Sequence, residues 1–181
     1  MLQLDANGWL NKAKIIKSPN FNARPDNIAI DLLVIHCISL PEGWYDNHYV
    51  ESLFLNDLDC NLEPSFKDLI NLKVSSHFYI TRQGEIIQFV ATEDRAWHAG
   101  VSIYKGKNNC NDFSIGIELQ GTDKTAFTKA QYTNLIELTK ALIKRYPTIK
   151  ANIVGHSDIA PVRKTDPGRE FNWEYFLSNV D

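Results

Sequence analysis

The run Ile30-Asp31-Leu32-Leu33-Val34-Ile35 is apolar at every position but one and ends on His36. A strand with one wet face alternates; a nearly continuous apolar run is a strand covered on both faces, and helices usually supply the cover. The rest of the chain fits that layering. Residues 74–90 read as a hairpin, with VSSHFYIT and EIIQFV on either side of a turn at Arg82-Gln83-Gly84. In FSIGIELQ, residues 113–120, Phe113, Ile115, Ile117 and Leu119 fall on one face, and Ser114, Gly116, Glu118 and Gln120 on the other. A short apolar strand at 151–155 leads into His156. The main helix is expected at 129–146, with Thr128 as N-cap, Gln131 completing a capping box and Pro147 ending it. Tyr132, Leu135, Ile136, Leu142 and Ile143 give it one buried face. Shorter helices are expected at 48–56, 65–72 and 171–177. These elements predict an α/β fold: one domain over residues 1–181 with a central mixed β-sheet flanked by helices.

A chain of 181 residues fits one domain and can bury a core without cross-links. Its formal net charge of -3 argues against nucleic acid or an anionic membrane as partner. No apolar run approaches the roughly 18 residues of a membrane span, and the first ten residues do not read as a signal peptide. Cys37, Cys60 and Cys110 match no disulfide framework, so reduced thiols and a cytoplasmic location are expected.

Three residues could form a metal tripod. His36 ends one apolar strand, His156 follows another, and Asp166 comes ten residues later in KTDPG. Two imidazoles and a carboxylate suit zinc, and three protein ligands leave the fourth position for water, the catalytic arrangement. Spacing alone leaves the alternative of structural histidines and a turn aspartate. Cys37 is read as a core thiol, because neighbours on a strand point to opposite faces. Glu118 is the candidate acid/base, on a strand face whose small residues Ser114 and Gly116 leave room for a ligand. Lys164 would stabilise an oxyanion, with Arg163 as its rival. Trp97 and His98 in RAWHAG could meet a sugar or peptide, or be a core pair. His77 is either a support for the site or a core histidine, and His48 an exposed residue at a helix start.

The segments LLVIHCISLP, SSHFYITRQGEIIQFV, RAWHAGVS, CNDFSIGIELQGTD and GHSDIAPVRKTDPG resemble, in order and approximate spacing, the motifs of the AmpD-type N-acetylmuramoyl-L-alanine amidases. The resemblance implies a fold like that of the phage amidases and peptidoglycan recognition proteins. It implies a zinc enzyme that cuts the lactyl–L-alanine amide of small anhydro-muropeptides during cell-wall recycling and in some bacteria so lowers the signal that induces β-lactamase; a monomer is expected. It also implies zinc on His36, His156 and Asp166, proton transfer by Glu118, transition-state stabilisation by Lys164 and a muramyl pocket lined by Trp97. Departures are Cys37 where Asn is frequent, Ser157 where Cys is frequent, and Lys73 and Asn109 where Arg is frequent. Lys73 and Asn109 are expected near the stem-peptide end, without the bidentate grip of a guanidinium. The alternatives are a receptor that captures fragments without cutting them and an endolysin-like amidase acting on intact wall.

Overall fold

The computed structural model describes residues 1–180. At its centre is a six-stranded sheet in the order β1-β5-β4-β9-β3-β10. The strands are β1 (Lys14–Ile15), β3 (Leu32–Ile38), β4 (Phe78–Ile80), β5 (Ile86–Gln88), β9 (Ser114–Gln120) and β10 (Ile153–Gly155). Two ribbons flank it, β2 (Phe21–Asn22) with β6 (Arg95–Ala96) and β7 (Ile103–Tyr104) with β8 (Lys107–Asn108). Strands β4, β9, β3 and β10 are parallel while β5 runs antiparallel to β4, so the sheet is mixed as expected.

The continuous apolar run is β3, covered on both faces. Leu33 and Ile35 join one core cluster, Leu32 and Val34 another with Ala99, Cys110, Phe113 and Ile159. The strand continues to Ile38, so His36 lies inside it rather than at its end. On β9 the expected alternation holds: Ile115, Ile117 and Leu119 pack with Leu135, Leu138 and Leu142 of α2 (Lys129–Arg145). Each such fully buried side chain contributes about 1.5–3 kcal/mol.

The capping box opens α2. The Gln131 N–H donates to Thr128 Oγ1 at 3.1 Å, and the Thr128 N–H to Gln131 Oε1 at 3.0 Å. The Gln131 amide also donates to the carbonyls of Ile80 and Gln120, pinning the helix start to β4 and β9. Beside α2 lies α4 (Trp173–Val180), which begins and ends later than the sequence suggests. On the opposite face α1 (Tyr49–Leu55) brings Val50, Leu53 and Phe54 against Tyr79, Ile87 and Phe89. The segment at 65–72 is a 3-10 helix, Pro64–Leu69, rather than an α-helix. A four-residue helix, α3 (His156–Ile159), follows β10 directly. Among the described residues no helix is long and apolar enough to cross a membrane.

Register positions the site. Glu118 of β9 pairs with Tyr79 of β4 on one side and His36 of β3 on the other. Gly155 pairs with Ile35, so His156 emerges level with His36. One line across four parallel strands therefore meets Tyr79, Glu118, His36 and His156, towards the carboxyl ends where open parallel sheets present functional groups.

Candidate metal centre

His36, His156 and Asp166 converge. His36 Nδ1 is 3.0 Å from His156 Nδ1 and 3.2 Å from Asp166 Oδ2, and His156 Nδ1 is 3.1 Å from the same oxygen. Both imidazoles are buried, at 1% and 3% exposure, so bulk water does not satisfy these atoms. His156 Nε2 lies 3.1 Å from the Ala99 carbonyl, which can only accept, so that nitrogen holds the ring proton and Nδ1 presents a lone pair. Burial, with the neighbouring His156 acting in the same direction, pushes His36 down to about 4, which keeps its ring neutral and fit to ligate. Two imidazole nitrogens and a carboxylate oxygen, all within 4.8 Å of one another, match the donor set of a three-protein-ligand zinc site.

Glu118 borders this centre, with Oε1 4.0 Å from His36 Nδ1. Its Oε2 is buried without a hydrogen-bond partner among the described residues. Burial, and then the charge of Asp166, hold its carboxyl well above the usual range, with Lys164 opposing. Lys164 and Asp166 line both a cleft of about 220 Å³ and a neighbouring hollow of about 400 Å³. Arg163 is engaged elsewhere: its guanidinium donates to the Ala99 and Val101 carbonyls.

Trp97 lines the smaller cleft with Glu118 and Lys164, its indole N–H donating to Asn22 Oδ1 at 2.7 Å. It therefore stands in the wall of the cleft rather than wholly in the core. His98 also borders the cleft, yet both of its ring nitrogens are committed within the protein, to His36 Nε2 at 2.9 Å and Ser114 Oγ at 3.1 Å. Its ring nitrogens are thus turned to the protein, as in the alternative reading of a satisfied histidine. The room expected on the small face of Ser114 and Gly116 is corrected: that face is filled by the His98 ring, since a Cβ on Gly116 would stand 2.5 Å from His98 Cγ. Lys73 borders an adjoining hollow of about 530 Å³ that shares Leu53, Leu69 and Leu72 with the cleft. Asn109 lines neither; it is exposed and occupies a left-handed turn, φ 58°, a conformation asparagine tolerates.

Cys37 is not part of the metal triad; it is partly buried, packing against the main core cluster while also bordering the cleft. Burial, then Glu118, raise its thiol far above the ordinary range. His77 is the core histidine: Nδ1 accepts from the Gly116 N–H, and Nε2 lies 3.1 Å from the Asp94 carbonyl. His48 is exposed at the start of α1. The sequence reading missed Ala99, Asn111 and Arg24. The Asn111 side chain holds the backbone of residues 98 and 99. Arg24 ties down the carbonyls of Asn111, Asp112 and Ser114. A backbone carbonyl acting on a histidine leaves no trace in residue type, so only the fold reveals Ala99.

A family profile described as N-acetylmuramoyl-L-alanine amidase matches residues 26–169. The 1,6-anhydro-N-acetylmuramyl-L-alanine amidase AmpD of Citrobacter freundii is 52% identical over 173 residues, covering 96% of this chain and 92% of its own. The crystal structure of a selenomethionine AmpD derivative superposes with a TM-score of 0.96 at 50% identity, over 98% of this chain and 99% of that one. The complex of AmiD from Escherichia coli with anhydro-N-acetylmuramic acid-L-Ala-D-γ-Glu-L-Lys gives a TM-score of 0.62 at 29% identity, over 97% of this chain and 65% of that one.

Proposed function

The chain belongs to the N-acetylmuramoyl-L-alanine amidase family, and from that premise we propose that it is a zinc-dependent hydrolase of small anhydro-muropeptides, cutting the amide between the lactyl group of 1,6-anhydro-N-acetylmuramic acid and L-alanine. The observation that carries this reading is the convergence of His36 Nδ1, His156 Nδ1 and Asp166 Oδ2 beside the unpartnered carboxyl oxygen of Glu118. The substrate class is supported by the AmpD relatives, named for that activity, and by the muropeptide bound to AmiD.

His36, His156 and Asp166 would hold the metal. When bound there, zinc polarises the amide carbonyl and acidifies the attacking water. Glu118 receives the water proton and delivers it to the leaving amine of L-alanine; its Oε2 has no hydrogen-bond partner among the described residues. The Lys164 ammonium, which makes no hydrogen bond or ion pair among the described residues, balances charge building on the carbonyl oxygen. Trp97 offers its flat side to the sugar.

The test is cleavage of an anhydro-muropeptide by the purified protein and by Glu118→Ala, with zinc content measured in both. Glu118→Ala is expected to keep its zinc and lose 10²- to 10⁴-fold in turnover, roughly the range for a lost general acid/base. Wild-type turnover in that variant would remove Glu118 from the mechanism. No cleavage by the wild-type protein loaded with zinc would favour a receptor that binds without cutting.

A further inference from the structure

His98 takes no part in the mechanism above, yet it touches a proposed metal ligand, and the residue after it touches another. The hydrogen-bond directions around them can be read from one fixed end. The Cys110 carbonyl can only accept, and Ser114 Oγ lies 2.5 Å from it, so the serine proton points there. The serine oxygen is then left as acceptor for its other partner, His98 Nε2, at 3.1 Å. Among the described residues no carboxylate meets the His98 ring, whose two nitrogens face His36 and Ser114, so the ring carries the single proton that the serine oxygen accepts. With that proton on Nε2, His98 Nδ1 is a lone pair, and His36 Nε2, 2.9 Å away, must donate to it. His36 Nδ1 is thereby stripped of a proton where it faces His156 and Asp166.

The next residue does the same for the second imidazole. The Ala99 carbonyl takes the His156 Nε2 proton at 3.1 Å, and Arg163 Nη2 donates to the same oxygen at 2.7 Å, drawing electron density into it. Both residues are clamped at the backbone, because Asn111 Oδ1 accepts from the N–H groups of His98 and Ala99 at 3.1 and 2.8 Å. Asn111 is itself buried, at 6% exposure. In this network each ring directs its Nε2 proton outward, which turns both Nδ1 atoms towards Asp166 Oδ2.

We propose that His98 is a positioning residue which, with the Ala99 carbonyl beside it, locks both histidine ligands in the tautomer that presents Nδ1 to the metal. The Gly116 notch seats the His98 ring, and the Ser114–Cys110 pair sets its polarity. The proposal rests on the reading of His36, His156 and Asp166 as ligands, and the two can fail separately.

Two substitutions separate polarity from space filling. His98→Asn places an acceptor oxygen near the position of Nδ1, whereas His98→Leu fills volume and accepts nothing. Zinc affinity is measured by competition with a chelator, and the ring tautomers of the metal-free protein by long-range nitrogen–proton NMR. In the wild type, His36 and His156 are each expected as the single Nε2–H form. His98→Leu is expected to bind zinc on the order of 10- to 100-fold more weakly, as for other lost outer partners, with His36 in mixed tautomers and His156 unchanged. His98→Asn should stay close to the wild type in both readings. Equal zinc affinity in His98→Leu and wild type would overturn the proposal, as would equal losses in both variants with the His36 tautomer unmoved. Should His98→Leu fail to fold, Ser114→Ala decides: weaker zinc and a reversed His98 ring support the relay, and wild-type values for both refute it. A wild-type protein that binds no zinc would instead sink the metal reading itself.

Discussion

Arg163 and Lys164 are adjacent cations with different fates. The guanidinium is spent on the carbonyls of Ala99 and Val101, while the ammonium has no hydrogen bond or ion pair among the described residues and borders the cleft. Lys164→Met is therefore expected to lower kcat by about 10²- to 10³-fold with KM little changed, as when an oxyanion donor is lost; steady-state kinetics on an anhydro-muropeptide would show it. An unchanged kcat would place the charge stabilisation elsewhere. At this scale the sequence was legible where chemistry depends on residue type. His36, His156, Asp166, Glu118 and Lys164 all carry groups that announce a role, and the structure brings the first four within contact range. His98 was open to two readings because its polar groups could face either a ligand or the protein, and type alone does not say which.

At the scale of elements, the alternation of β9 was read correctly and its polar face misinterpreted. The period of a strand shows which residues share a face, but not what stands on that face. Here the occupant is His98, from a separate loop segment, lying against Gly116. Gly116→Ala is expected to cost about 1–3 kcal/mol by overpacking, since the added methyl must displace the imidazole or bend β9. Urea denaturation would measure it, and a variant as stable as the wild type would show that the ring has room to retreat. Elements with strong local signals, such as the Thr128–Gln131 capping box and the apolar β3, were recognisable in advance. The two-residue strands β1, β2, β6, β7 and β8 were not, because pairs so short are held by tertiary contacts rather than by any pattern of their own.

Across the whole molecule, buried neutral histidines tie stability to pH. His77 accepts from the Gly116 N–H and faces the Asp94 carbonyl, an arrangement that needs the neutral ring. Burial, and then Arg24, hold it well below its ordinary value. An unfolded histidine takes up a proton near pH 6.5, roughly the value of a free side chain, while the folded one does not. The stability it confers is thus complete above about pH 6.5 and drains away as the pH falls towards its folded value. Melting temperatures of the metal-free protein should drop on acidification, and more shallowly in His77→Asn, which keeps an acceptor but cannot be protonated. Parallel curves for the two proteins would contradict this. Glu118 contributes with the opposite sign, since its buried carboxyl favours the protonated form, so the difference between the two proteins, not the wild-type slope, isolates His77.

The pairing of β10 with β3 joins residues far apart in the order of synthesis: His36 and His156 are separated by 120 positions. A growing chain carries the first histidine long before the second exists, and Asp166 is made later still. A metal held by these three ligands would therefore not serve as an early template during synthesis. A metal that needs all three ligands would find its site complete only once β10 lies beside β3 and Asp166 is in place, so zinc content would report on that assembly.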